Sequence, residues 1–262
     1  MNADAPGEAL LEARGLTRMF AGLAAVQELS FGVAPGAIKA VIGPNGAGKT
    51  TLLNLLSGFI EPSAGEIRFG GARIDAIPAH ARVGRGMART FQNLQVFGRM
   101  TALENVMVGR HVRSRAGFFA GLLSTPASRR ETEAARAAAL AALARVGLER
   151  RAHTEATDLS FGELKLLELA RALASEPRLL LLDEPAAGLA LAETDRMAGV
   201  IREINARGVT VVLVEHNMRL VMSISHDILV LNFGRRIAEG SPEAVQAEPA
   251  VIEAYLGRDD DA

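Results

Sequence analysis

The segment Gly43–Thr50 has the residue types and spacing of a phosphate-binding loop. It reads Gly-Pro-Asn-Gly-Ala-Gly-Lys-Thr and follows the apolar run 37–42. The glycines let backbone N–H groups point at phosphate oxygens, and we expect Lys49 to reach the β- and γ-phosphates while the Thr50 hydroxyl coordinates Mg²⁺. An ordinary glycine-rich turn explains the glycines but not Gly-Lys-Thr, so the segment predicts binding of a nucleoside triphosphate with Mg²⁺. The residues predicted to contact the nucleotide are Gly43, Pro44, Asn45, Gly46, Ala47, Gly48, Lys49, Thr50 and Thr51.

Two adjacent acids, Asp183 and Glu184, close a second apolar run, Leu179–Leu182. The carboxyl end of a parallel strand is where ligands bind in α/β sheets. We expect Asp183 to hold Mg²⁺ through water and Glu184 to act as the general base for an attacking water molecule. A charged surface turn would give the same pattern by itself, but the phosphate loop in the same chain favours the catalytic interpretation.

The segment Leu159-Ser-Phe-Gly-Glu163 precedes the helical pattern of 164–174, where Ser160 is a candidate N-cap and Gly162 permits close backbone approach. Alone, it indicates only a helix cap. Beside the two motifs above, it resembles the Leu-Ser-Gly-Gly-Gln segment of the ATP-binding subunits of ABC transporters. The resemblance implies that Ser160 and Gly162, which match, contact the γ-phosphate of ATP held by the opposite subunit. Phe161 and Glu163 depart from that pattern, and Glu163 puts the contact made by the family's glutamine in question.

Three further residues match positions of that family. Gln92 resembles the loop glutamine that links the nucleotide and Mg²⁺ site to the membrane subunit. His216 resembles the histidine that contacts the γ-phosphate and helps position the attacking water. Phe20 resembles the aromatic residue that stacks on adenine. Without the resemblance, a polar loop residue and a structural histidine would be the better interpretations of Gln92 and His216, and Phe20 can equally well belong to the core.

The resemblance spans nearly the whole chain and narrows to the ATP-binding subunits of branched-chain amino acid importers. The segments that carry it are 89–110, 117–126, 183–189, 215–222 and 251–257. It implies ATP hydrolysis coupled to transport, two permease subunits, a second ABC ATPase chain, an extracytoplasmic substrate-binding protein, and a peripheral place on the cytoplasmic face of the inner membrane. Related systems import urea, amides or other amino acids, or export lipopolysaccharide, so the substrate stays open. Whether the second ATPase is a paralogue or another copy also stays open.

Composition narrows the remaining classes of protein. The chain has 262 residues, 49% of them hydrophobic, no cysteine and a formal net charge of −1. Disulfides and thiolate metal sites are therefore excluded, and no overall basic field recruits nucleic acid. We see no secretion signal, and the apolar runs are too short to span a bilayer.

A non-transport ABC ATPase and a phosphate-loop kinase remain as alternatives. The first usually carries twin cassettes or coiled-coil insertions, and the second has no need of the Ser160 segment.

The order of apolar segments predicts how these motifs are positioned. We expect an α/β fold: a phosphate-loop NTPase (ABC ATPase) core with an inserted α-helical subdomain and an N-terminal antiparallel β element. One domain would span 9–257, with the core at 9–92 and 175–240, the helical subdomain at 93–174 and a helical tail at 241–257. The clearest helix is 131–146, a strand pair lies around 227–238, and a terminal helix lies near 242–255.

Two features have no assigned function at this stage. Lys39 is a charge inside the apolar run 37–42, and we expect it to reach solvent from an edge of the sheet. The apolar insertion 117–123 either covers the helical subdomain or forms a surface for a membrane partner.

Overall fold

The computed structural model describes residues 9–92, 94–110 and 126–256. The insertion 117–123 lies outside these ranges, as do Asn93 and Gly257. Within them, no helix combines the length and the apolar character needed to cross a bilayer.

An antiparallel sheet forms the N-terminal part of the chain, as the pattern of short apolar strands predicts. Its strands are β1 (Leu11–Phe20), β2 (Leu23–Val33), β4 (Ala64–Phe69) and β5 (Ala72–Arg73). Their order is β2-β1-β4-β5. One face of this sheet packs its buried leucine, valine and phenylalanine side chains against the helix that follows the phosphate loop.

The second sheet carries the phosphate loop. Its strands are β3 (Ile38–Ile42), β6 (Met87–Arg89), β7 (Leu179–Asp183), β8 (Thr210–Val214), β9 (Asp227–Asn232) and β10 (Arg235–Gly240). Their order is β10-β9-β3-β8-β7-β6, and every pairing except that of β9 with β10 is parallel. All positions of β3, β7 and β8 are buried, because helices and the first sheet cover both faces.

Helices connect these strands. They are α1 (Lys49–Ser57), α2 (Ala79–Gly84), α3 (Ala102–Arg110), α4 (Pro126–Arg145), α5 (Phe161–Leu173), α6 (Leu191–Ala206), α7 (Met218–Ile224), α8 (Pro242–Gln246) and α9 (Pro249–Leu256). Helices α3, α4 and α5 lie between β6 and β7 in the chain and pack on one another. The predicted α/β fold with an inserted helical segment is confirmed, whereas the exact subdomain limits stay a prediction.

Local details differ from the expectation in two places. The helix expected at 131–146 begins earlier, at Pro126. The expected terminal helix is two helices, α8 and α9. It breaks because Pro249 lacks a backbone N–H and disfavours helical geometry in the residue before it.

Lys39 does not reach solvent from an edge, so that expectation was wrong. It lies in β3, which has β9 and β8 on either side, and it is 1% exposed. Its ammonium forms ion pairs with Asp227 at the start of β9 and Glu239 in β10. Neighbouring strands bring two carboxylates to the buried charge, and the lysine joins three strands of the sheet.

Arg82 is a second buried charge, and it holds the end of α1 in place. Its guanidinium is 1% exposed, and burial lowers its pKa to about 10, so it stays charged at neutral pH. It donates hydrogen bonds of 2.7–3.1 Å to the carbonyl groups of Leu55, Leu56, Ile74, Asp75 and Ile77. Two of these carbonyls belong to the last turn of α1, whose acceptors have no partner within the helix.

Replacing Arg82 with methionine is expected to lower the free energy of unfolding by at least about 3 kcal/mol, because several buried carbonyl groups lose their donor at once. Arg85→Met is the matched control, since Arg85 is exposed at the C-cap of α2, the helix that carries Arg82. This change should alter stability by less than about 0.5 kcal/mol. Urea titrations followed by circular dichroism measure both values. Equal stability of the two variants would contradict the role of Arg82.

Candidate functional site

The phosphate loop joins the end of β3 to α1 and is enclosed by backbone from two other elements. Gly43 has φ 148°, and a Cβ atom there would lie 2.0 Å from the Leu231 carbonyl oxygen. Gly48 has φ 100°, and a Cβ there would lie 2.3 Å from the Ala25 oxygen. Glycine is therefore required at both positions, because conformation and space each exclude a side chain.

Lys49 bends back over the loop that precedes it. Its Nζ donates hydrogen bonds to the carbonyl groups of Gly43 at 2.7 Å and Pro44 at 2.8 Å, and the residue is 6% exposed. Thr50 is exposed in the first turn of α1, a turn that carries no acidic side chain. The helix N-terminus therefore offers N–H groups and a positive dipole with no carboxylate in that turn to oppose an anion.

Three residues predicted to be catalytic meet at the ends of β7 and β8. The Gln92 amide donates to Glu184 Oε2 at 3.0 Å, and His216 Nε2 lies 3.0 Å from Glu184 Oε1. Glu184 has φ 48°, a left-handed backbone conformation that costs energy in a residue other than glycine. The strained turn directs the carboxylate toward both partners, so each of its oxygens has a fixed neighbour.

Asp183 lies one residue earlier and has a partner that sequence reasoning missed. Its Oδ2 accepts a hydrogen bond from Arg89 at 2.8 Å, and both side chains are buried. Arg89 also donates to Asn54 and Ser57 of α1, each at 2.7 Å. The pair ties the strand-end acid to the helix of the phosphate loop. The sequence signal that could have identified this partner is an arginine at the end of a short apolar strand, three residues before Gln92.

Two buried charges of α5 hold the loop that carries Gln92. Glu168 accepts a hydrogen bond from the Phe91 N–H at 3.0 Å, and Lys165 donates to the Gln92 carbonyl at 3.2 Å. Burial raises the pKa of the Glu168 carboxyl, although the Phe91 hydrogen bond opposes that shift. Sequence reasoning treated this helix only as the continuation of the Ser160 segment and did not find these contacts.

Ser160 caps α5, which confirms the N-cap prediction. Its hydroxyl accepts from the Glu163 N–H at 3.2 Å, and the Glu163 carboxylate accepts from the Ser160 N–H at 2.9 Å. That second hydrogen bond holds the pKa of the Glu163 carboxyl below its usual range. Glutamate at the position of the family's glutamine therefore completes the cap. Gly162 packs against Glu193 of α6, whose Oε1 would lie 2.3 Å from an added Cβ.

The predicted residues fall into two groups in the structure. The loop Gly43–Thr50, Asp183, Glu184, Gln92 and His216 share the carboxyl edge of the parallel sheet. Phe20 is 44% exposed at the end of the β1–β2 hairpin, whose Ala25 backbone contacts the phosphate loop.

The second group, Ser160 and Gly162, lies at the start of α5. Within the described ranges, the hydrogen bonds of Ser160 run to Glu163 and Leu164, and none joins it to the phosphate loop of its own chain.

Comparisons with known proteins agree with this arrangement. A family model described as "ABC transporter" matches residues 26–187, and one described as "Branched-chain amino acid ATP-binding cassette transporter" matches residues 235–261. The chain is 45% identical to the high-affinity branched-chain amino acid transport ATP-binding protein BraF of Pseudomonas aeruginosa, over 95% of this chain and 98% of BraF. It is 42% identical to LivG of Escherichia coli K12, a protein of the same description, with the same coverage.

A solved structure also matches. The ADP conformation of MJ1267, an ATP-binding cassette of an ABC transporter, superposes with a TM-score of 0.84 at 29% identity, covering 96% of this chain and all of that one. The motifs, the fold and these similarities agree, and the chain belongs to the ABC transporter family as a nucleotide-binding ATPase.

Proposed function

We propose that this chain is the ATP-hydrolysing subunit of an importer for branched-chain amino acids. The observation that carries the proposal is the contact of Glu184 with both Gln92 and His216 at the edge of the sheet that holds the phosphate loop. The relatives BraF and LivG, similar along nearly their whole length, support the choice of transported substrate. The C-terminal family match supports it independently of the ATPase motifs.

The roles of the residues follow from their chemistry. Lys49 and the loop N–H groups offset the charge of the β- and γ-phosphates, a stabilisation that grows where charge develops in the transition state. Glu184 takes the proton of the attacking water, and His216 and Gln92 orient its two oxygens. Phe20 offers an exposed ring on which adenine can stack. The substrate amino acid needs no contact with this chain.

The donor atoms at this edge fit Mg²⁺. Thr50 offers a hydroxyl, Asp183 a carboxylate and Gln92 an amide oxygen, and Mg²⁺ prefers oxygen ligands with phosphate and water completing its shell. Arg89 holds one oxygen of Asp183, which fixes the direction of the other. When bound, the ion would neutralise charge on the β- and γ-phosphates.

A second ATPase chain completes the proposed site. Ser160 and Gly162 lie at the start of α5, and among the described residues no hydrogen bond joins Ser160 to the phosphate loop of its own chain. Helix N-termini bind anions. We assign them to the γ-phosphate of ATP held by the partner, which is either a paralogue or another copy. ATP then supplies contacts that exist only in the closed pair, and hydrolysis removes them.

The remaining partners belong to the proposed transport system. They are two permease subunits, which would place this chain on the cytoplasmic face of the inner membrane, and an extracytoplasmic substrate-binding protein. Nucleic acid is not among them, since the formal net charge is −1. Import of urea, amides or other amino acids is the alternative, because the ATPase site itself does not distinguish between transported substrates.

Glu184→Gln is expected to reduce the rate of ATP hydrolysis by roughly 10²–10⁴-fold, because the amide cannot accept the proton of water. That loss equals about 3–5 kcal/mol of barrier. ATP should still bind through Lys49, so size-exclusion chromatography with Mg-ATP should show more dimer than wild type. Glu203→Gln, an exposed change on α6, is the control and should hydrolyse ATP normally. Near-normal hydrolysis by Glu184→Gln would refute the assignment.

The composite site is tested by mixing Lys49→Ala chains with Ser160→Arg chains, each inactive alone. In a mixed pair one site carries both defects and the other carries neither. Random pairing of two copies should restore about a quarter of wild-type ATPase activity. Ser160→Asn, which keeps a capping oxygen, controls for disruption of α5. Activity that returns only after a paralogue is added would identify a heterodimer. Activity that returns neither on mixing the two variants nor on adding a paralogue would contradict the shared site.

The transported substrate is tested with the complex captured from membranes by a tag on this chain. Reconstituted in vesicles with internal ATP and the substrate-binding protein outside, it should accumulate labelled leucine, isoleucine and valine. The same complex carrying Lys49→Ala should accumulate none, because the ammonium at the β- and γ-phosphates is lost. Uptake of urea or an amide in place of leucine would contradict the proposed substrate while leaving the ATPase assignment intact.

A further inference from the structure

Glu215 is a buried acid that the proposed chemistry does not use. It is 3% exposed and lies between the end of β8 and His216. Its Oε1 accepts a hydrogen bond from the Ala186 N–H at 2.7 Å. Its Oε2 accepts from the N–H groups of His216 at 3.0 Å and Asn217 at 3.2 Å. Within the part of the chain that the structure describes, backbone donors alone hold this carboxylate.

These three donors belong to two different turns. Ala186 lies two residues after Glu184 in the turn that follows β7, whereas His216 and Asn217 form the turn that follows β8. One carboxylate therefore bridges the turn of the proposed base and the turn of its histidine partner. A backbone hydrogen bond from the Glu184 N–H to the Val214 carbonyl, at 2.9 Å, also joins the ends of β7 and β8.

We propose that Glu215 is a positioning residue for ATP hydrolysis. By bridging the two turns, it keeps Glu184 Oε1 and His216 Nε2 at their 3.0 Å separation and supports the strained backbone of Glu184. The proposal rests on the proposed function, since it assumes that Glu184 is the base. Glu215 itself touches neither water nor phosphate in this account and acts only through the two residues that it fixes.

A carboxylate suits this task because both of its oxygens accept hydrogen bonds. Glutamine has nearly the same size, but its amide presents one oxygen and one NH₂ group. In Glu215→Gln, one of the two turns must face that NH₂ with its own N–H donors, so one half of the bridge is lost whichever way the amide points. Glu215→Asp keeps both oxygens and the charge, but the side chain is one methylene shorter.

The test is a double-mutant cycle on ATP hydrolysis with wild type, Glu215→Gln, Glu184→Gln and the double variant. Single-turnover assays keep the slow variants measurable. Glu215→Gln should lower kcat by about 10–100-fold, the size expected when a reacting group is misplaced by about 1 Å. The KM for ATP should change by less than about threefold, because the phosphate loop is untouched. The double variant should be no slower than Glu184→Gln, since a positioning residue has no effect once its target is gone.

Asp75→Asn is the matched control. The Asp75 carboxylate accepts the Ile67 N–H in the first sheet, far from the base in the chain, so the change should lower stability without lowering kcat. Where Glu215→Gln does not fold, Glu215→Asp takes its place in the same cycle.

Wild-type kcat in a folded Glu215 variant would overturn the proposal. So would an equal fold loss in the wild-type and Glu184→Gln backgrounds, which is the signature of a general structural defect. The failure of the proposed function looks different: hydrolysis absent from wild type, or unaffected by Glu184→Gln, would refute the base before Glu215 is considered.

Discussion

The register of β3, β8 and β7 is the constraint on which the rest of the site depends. Val214 of β8 pairs with Val41 of β3 on one side and with Asp183 of β7 on the other. Parallel strands end at the same edge of a sheet. The phosphate loop, the acid pair and the histidine turn therefore all begin at that edge. Residues separated by more than 150 positions, such as Val41 and Val214, thereby become neighbours in the sheet.

Buried charges tie the strands of this sheet, and the helix that follows the phosphate loop, to one another. Lys39 joins β3 to β9 and β10, Arg82 binds the end of α1, and Arg89 ties α1 to Asp183. Removing such ions from water is costly, so each is stable only because several partners satisfy it. Arg82 and Arg89 together hold α1, and with it the phosphate loop, at a defined place relative to the strands. Apolar packing alone would fill the same space with less directional control.

Helix α5 connects the two groups of predicted residues. Its first residues present Ser160 and Gly162, and its buried Lys165 and Glu168 hold the backbone of the Gln92 loop. Gln92 in turn contacts Glu184. A displacement of the Gln92 loop on ATP binding would therefore reach the start of α5 through a continuous set of hydrogen bonds, and in the proposed pair that end faces the partner's nucleotide.

The sequence by itself determined the class of this protein, because Gly-Lys-Thr and the strand-end acids are local patterns typical of phosphate-loop ATPases, and beside them the Ser160 segment is typical of the ABC family. It also determined the α/β class through the apolar periodicity. Only the tertiary structure decided the partners of Lys39, Arg82, Arg89, Glu168 and Glu215, which lie in distant segments. A charged residue in an apolar run looks alike whether it is exposed or buried with a partner. Strand order and register choose between the two, and a single sequence does not contain that pairing in any local pattern.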